Sequence, residues 1–235
     1  MKTRVTSPFC LALVNLLSCL AVAQSGPPPL CKPCLFYAGD FDMNDPNSLA
    51  FDDENTLAYP DTSTYGAVQI PRNHTVLVEG LLFQIIFDGA VKLDPDEVTW
   101  EIRAGVSEGI GGNVVASGHM FGPALQPTGR FGNGPEYSVA VKVSPPVMLG
   151  AGTYWFNVTP LCLNKHDSIC ASPAYSSGAS NTTQQANNVR GVLQPKHQIF
   201  VNSSALSYDW RNWCDFQNQQ ACASLSFGLI GKLLK

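Results

Sequence analysis

Tyr208, Trp210, Trp213 and Phe216, interleaved with Asp209, Arg211, Asn212 and Asp215 and closed by Cys214 and Cys222, have types and spacing that suit sugar binding. Flat rings cover the apolar faces of pyranoses, the polar neighbours bond hydroxyls, and a disulfide lowers the ordering cost of binding. The same rings suit a second role, plugging one end of a β-sandwich. Trp155 joins Tyr208, Trp210 and Trp213 as a ligand-binding candidate. In Gly152-Thr153-Tyr154-Trp155-Phe156-Asn157-Val158 it alternates with Tyr154 and Phe156, so it points away from the core if they face it. A covering loop is the alternative surrounding for it.

A second constellation is acidic. Asp40, Asp42, Asn44 and Asp45, followed by Asp52, concentrate oxygen ligands that suit a hard cation, and a structural Ca²⁺ is the one cofactor the sequence suggests. The D-x-D-x-N opening is not an EF-hand, because its sixth place is not glycine and Phe51 stands at the twelfth. Solvated turns and caps are the competing reading. Gly105-Val106-Ser107-Glu108-Gly109 matches the G-x-S-x-G string of serine hydrolases. A nucleophile elbow needs strand, sharp turn and helix; here a glycine-rich turn leads into Val114-Val115-Ala116, so the glycines are expected to supply positive φ in a hairpin connection. His74, His119, His166 and His197 are widely spaced, which leaves zinc catalysis unsupported. No catalytic residue is assigned, since paired carboxylates for glycoside hydrolysis come together only in the fold.

These residues must be positioned by an exported chain. Lys2 and Arg4, the apolar run Phe9 to Leu20 and Ala21-Val22-Ala23 read as a signal peptide over 1–23. Leu16-Leu17-Ser18-Cys19 also resembles a lipobox, so lipid anchoring through Cys19 is the alternative to secretion. Without the leader the formal charge of −4 becomes −6, eight cysteines become six, and no basic stripe for nucleic acid remains. No later apolar run approaches the ~20 residues of a membrane span. The cysteines fall in three close pairs, and local disulfides are expected between Cys31 and Cys34, Cys162 and Cys170, and Cys214 and Cys222. Asn73, Asn157, Asn181 and Asn202 are N-glycosylation acceptors in a glycosylating host.

Residues 24–36, with Gly26-Pro27-Pro28-Pro29, read as a stiff linker, 37–231 as one domain and 232–235 as a tail. Val98, Trp100 and Ile102 alternate with polar residues, and Tyr137, Val139, Val141 and Val143 repeat that period. Thr75 to Phe87 predicts a bent central strand or a pair of strands, interrupted at Glu79-Gly80; Gly152 to Val158 and Ser224 to Ile230 predict further strands. Pro145-Pro146 and Gly150-Ala151-Gly152 read as turns. The fold expected is all-β, a two-sheet antiparallel sandwich of jelly-roll type, with Val98, Trp100, Ile102, Val139 and Val141 buried.

Trp100 to Ser107 with Gly109, Gly111, Gly112, Ala116, Ser117 and Gly118, then Gly152 to Pro160, Ser226 to Gly231 and Tyr37 to Asp42, resemble a largely uncharacterised family of exported bacterial β-sandwich proteins. The resemblance covers most of the mature chain and implies a sandwich, but the family brings no established activity or catalytic residue. Its members often end in a sorting signal of apolar helix and basic tail, from which Gly231-Lys232-Leu233-Leu234-Lys235 departs. Two functions stay open: an exported non-catalytic protein binding a glycan or matrix component, and a secreted hydrolase acting on polysaccharide.

Overall fold

The computed structural model describes residues 31, 34–40, 50–52, 62–87, 97–131, 134–161, 174–179, 194–204, 207–213 and 224–234. The period-two stretches form strands, and these pair antiparallel into two sheets. One has six strands in the order β12 (Tyr208–Asn212), β11 (Gln194–Ser203), β3 (Ser63–Ile70), β9 (Gly152–Leu161), β5 (Glu97–Ala104) and β6 (Asn113–Phe121). The other is built on β4 (Thr75–Phe87), whose one edge takes β8 (Pro135–Leu149) and whose other edge takes β14 (Phe227–Leu234) and then β10 (Ala174–Ala179). Outside these lie β7 (Leu125–Phe131) on β8 and β1 (Phe36–Tyr37) on β14; β2 (Ala50–Asp52) and β13 (Ser224–Leu225) pair with β10. The fold is an all-β two-sheet sandwich.

Alternation decides what lies between the sheets. Val98, Trp100 and Ile102 of β5 and Val139, Val141 and Val143 of β8 turn inward and are buried, as the sequence predicts. Phe227 gathers Phe36, Phe83 and Phe156 at ring-centroid distances of 5.4, 5.3 and 6.0 Å. Full burial of each such side chain stabilises by about 1.5–3 kcal/mol.

Several expectations are corrected. Pro145 and Pro146 are not a turn but lie within β8, where the register to β4 jumps from Val78↔Val147 to Gly80↔Lys142. The same place shifts the β14 register, so the interruption foreseen at Glu79-Gly80 is a bulge shared by both neighbours. A bulge suits proline, which has no N–H for the ladder. Cys31, Cys34, Leu35 and Phe36, expected in a linker, are buried parts of the sandwich. Leu35 and Ala38 donate their amides to Leu229 and Phe227, which ties this segment to β14. Lys232 to Leu234, expected as a tail, pair with Thr75 to Leu77. Cys31 and Cys34 stand at disulfide distance with Cα atoms 5.5 Å apart. Cys162, Cys170, Cys214 and Cys222 lie outside the described residues.

Candidate functional site

The outward residues of the six-stranded sheet follow from the same parity. With Val98, Trp100 and Ile102 inward, Glu97, Thr99, Glu101 and Arg103 of β5 point outward. Beside them lie Trp155, Asn157 and Thr159 of β9 and Tyr65 and Ala67 of β3, in the register Arg103↔Trp155 and Ala67↔Trp155. A loop over residues 105–112 connects β5 to β6 and reaches back to β12. The Gly109 amide donates to the Trp210 carbonyl at 3.1 Å. Glu108 accepts the Asn212 amide at 2.7 Å and lies 3.8 Å from Arg211. Ser107 and Ile110 exchange backbone hydrogen bonds, and Gly105, Gly109 and Gly112 have positive φ, so the G-x-S-x-G string is a hairpin connection.

Under this loop Tyr65, Ala67, Val106, Trp155, Phe200 and Trp210 form a second apolar cluster on the outer face. Trp210 has φ of 48°, rare for a bulky residue, and is held there by its neighbours. The Arg103 guanidinium lies 4.7 Å over its ring and 5.8 Å from that of Tyr65. Arg103 Nε donates to Glu101 Oε2 at 2.6 Å and Nη1 to the Gly111 carbonyl at 3.0 Å; the Tyr65 hydroxyl donates to the same Glu101 Oε2 at 2.9 Å. A Cβ on Gly111 would sit 2.4 Å from the Trp210 indole, so only glycine lets the loop lie against that ring. Burial lowers the Arg103 pKa, but the Glu101 hydrogen bond, the Tyr65 and Glu101 charges and the Tyr65 hydrogen bond outweigh it and hold it above its ordinary value. In Arg103 and Glu101 the side chains keep 17% and 28% exposure. This pair is therefore both braced and reachable.

The expected ligand-binding rings are placed otherwise than as an exposed row. Trp155 and Trp210 are buried at 6% and 8% exposure. Trp155 packs edge-on to Phe200, and its Nε1 has no hydrogen-bond partner among the described residues. Tyr208 and Trp213, half-buried and 6.4 Å apart, pack against the main core instead. The cluster is thus divided between two layers, and a guanidinium already occupies the Trp210 ring. Glu101 and Arg103 are not among the site residues that the sequence singles out; both lie at outward positions of β5, and that shared strand parity was the available signal.

Other polar groups are committed elsewhere. Asp40, one of the calcium candidates, is buried and lies 2.8 Å from Arg130 Nη2, while the Tyr37 hydroxyl donates to its other oxygen. Glu136 Oε2 accepts from Thr128 Oγ1 at 2.6 Å and lies 3.6 Å from Arg130 Nη1. Two carboxylates therefore share one buried arginine. Asp42, Asn44 and Asp45 lie outside the described residues, and Asp52 pairs through its backbone with Tyr175. Among the described residues no three His, Cys, Asp or Glu side chains are grouped to hold a metal. His119 Nδ1 lies 2.5 Å from the buried Glu97 Oε1 on the β6 edge.

The glycosylation acceptors divide similarly. Asn73 is exposed in the β3–β4 turn and Asn202 half-buried, while Asn181 lies outside the described residues. Asn157 is buried, donates Nδ2 to the Thr64 carbonyl at 2.8 Å and accepts from Thr159 Oγ1, so the folded chain has no room for a glycan there.

Two tyrosines give this arrangement an alkaline signature. Burial first, then the neighbouring charge of Asp40 or Glu101, pushes Tyr37 and Tyr65 far above their ordinary pKa of about 10. Unfolded tyrosine ionises near pH 10 while these stay protonated, so the unfolded state binds fewer protons and stability falls as pH rises. The expected slope is about 1.4 kcal/mol per pH unit for each tyrosine above pH ~10. Urea unfolding from pH 9 to 11.5 checks this; Tyr65→Phe is expected to halve the slope, and an unchanged slope would remove Tyr65 from the account.

No helix among the described residues is long and apolar enough to cross a membrane. No protein-family model matches the chain, and neither a curated protein nor a solved structure is significantly similar to it.

Proposed function

We propose that the protein is an exported binding protein without catalytic activity, and that the outer face of the six-stranded sheet around Glu101 and Arg103 receives a glycan or another matrix component. One observation carries the reading: the pair is fixed by buried aromatic rings yet keeps hydrogen-bonding capacity and exposure. A preorganised polar pair loses little side-chain entropy on binding. The leader and the resemblance to exported sandwich proteins support the compartment. The hydrolase reading draws no comparable support, since the buried carboxylates Asp40 and Glu136 are held by Arg130.

The test is a glycan and matrix-protein array probed with the mature chain and with Glu101→Ala and Arg103→Ala. Binding by the native chain that drops at least about tenfold in both variants, with folded spectra retained, is the expected result. Equal binding by both variants would move the site elsewhere, and hydrolysis of an arrayed polysaccharide would overturn the non-catalytic reading.

A further inference from the structure

We infer that the protein pairs with a second copy of itself through the free edge of β6, strand against strand and antiparallel, about a two-fold axis at Gly118. The inference is independent of what the face around Glu101 and Arg103 binds. β6 ends the six-stranded sheet: β5 takes one side of it, and no strand among the described residues takes the other. The free side of an edge strand presents unpaired backbone N–H and C=O groups, and what satisfies them in series is another extended chain. Asn113 to Phe121 is nine residues long, an edge of about 30 Å, and none of the nine is buried.

Proteins ordinarily blunt such edges with charge, proline or brevity. Other edges of this fold are blunted in those ways. β7 carries Pro127, β8 beyond its pairing with β7 carries Lys142 and Pro145-Pro146, and β12 carries Asp209 and Arg211. β1, β2 and β13 are only two or three residues long. β6 has no proline, aspartate, glutamate, lysine or arginine. Its one irregularity, the bulge at Val115, lies toward one end and leaves Ala116 to Phe121 in unbroken register with β5. Exposed apolar side chains gather at the same place: Val114, Val115 and Phe121 stand on β6, and Ile110 on the loop leading to it.

Parity and charge make a second copy the occupant. Ala116 and Met120 pack against the main core and Gly118 lies against Trp100, so Val115, Ser117, His119 and Phe121 point outward. With the axis at Gly118, antiparallel pairing sets Phe121 of each copy opposite Val115 of the other, and Ser117 opposite His119. Two exposed apolar side chains are thereby covered at both ends of the ladder. Because β6 contributes no carboxylate, lysine or arginine, its copy brings no such like charges face to face. The two six-stranded sheets then continue into one, with both Glu101–Arg103 faces on the same side.

Sedimentation equilibrium of the mature chain at physiological salt, from about 1 to about 100 μM, is the test. Expected is a monomer–dimer equilibrium reaching twice the monomer mass. Val115→Lys and Phe121→Lys, at positions exposed in the single chain, are each expected to weaken the dimer at least about tenfold, since symmetry sets each lysine against the interface twice. Met148→Lys, also at an exposed position but on β8, is expected to leave it unchanged. Hydrogen exchange on the unmodified chain reads the same edge without a variant: outward-pointing amides between Ala116 and Phe121 are expected to gain protection at high concentration. A chain that stays monomeric at about 100 μM overturns the inference. So does a dimer that the β6 lysines leave intact, or one that Met148→Lys disrupts equally. Growth into larger assemblies also overturns it, because two-fold pairing uses each β6 edge once and closes at two.

Discussion

Trp100→Ala is expected to destabilise the domain by about 3–5 kcal/mol, a large share of the ~5–15 kcal/mol that holds a typical domain together. The indole is 4% exposed and sits in the main core, directly across the β5–β6 ladder from Gly118. A Cβ built on Gly118 would lie 2.8 Å from three indole atoms, so the missing side chain on β6 is the space that Trp100 fills. The two positions are therefore coupled. Gly118→Ala alone is expected to destabilise by about 1–3 kcal/mol through overpacking, yet to cost much less in a Trp100→Leu background. Urea denaturation of the single and double variants measures the coupling; additive effects would show that the indole has room to move. Because neither residue touches Glu101 or Arg103 in the hydrogen bonds described, Trp100→Ala is a stability control for binding experiments.

Arg130→Ala is expected to have a similar effect for a different reason. In the native chain Arg130, Asp40 and Glu136 have side-chain exposures of 10%, 7% and 0%, so their charges are mostly removed from water. Tyr37 and Thr128 donate hydrogen bonds to the carboxylates but supply no positive charge. Removing the guanidinium leaves buried negative charges facing each other, which typically costs about 3–5 kcal/mol. If charge is the cause, adding Asp40→Asn and Glu136→Gln to Arg130→Met should recover most of the loss. Failure of that combination to recover stability would assign the effect to packing of the arginine stem instead. The cluster also ties the segment carrying β1 to β7 and β8, so Arg130→Ala should expose the Cys31 to Asp40 segment to limited proteolysis before the rest of the sandwich.

The strands and their buried faces were legible in the sequence because both are local properties. A period of two assigns each residue to a face, and this placed Val98, Trp100, Ile102, Val139 and Val141 inside before any pairing was known. The glycines of residues 105–112 likewise marked a hairpin connection, since positive φ is a property of the single residue. Parity does not say what lies over a face. Trp155 pointed away from the main core as its alternation required, yet it is buried because the 105–112 loop and Trp210 come across the sheet to meet it. The double proline at 145 and 146 was read as a turn because local propensity favours one; only pairing with β4 made it a bulge. In the sheet β12 is separated from β5 by β11, β3 and β9. Only its path across the outer face brought the β5–β6 loop to Trp210 and stacked Arg103 on that ring, and, elsewhere in the fold, chain path joined Asp40 to Arg130 and Glu136. Those contacts depend on register and loop path between distant segments, which no local pattern encodes, and so the polar groups available to a ligand emerged only with the tertiary structure.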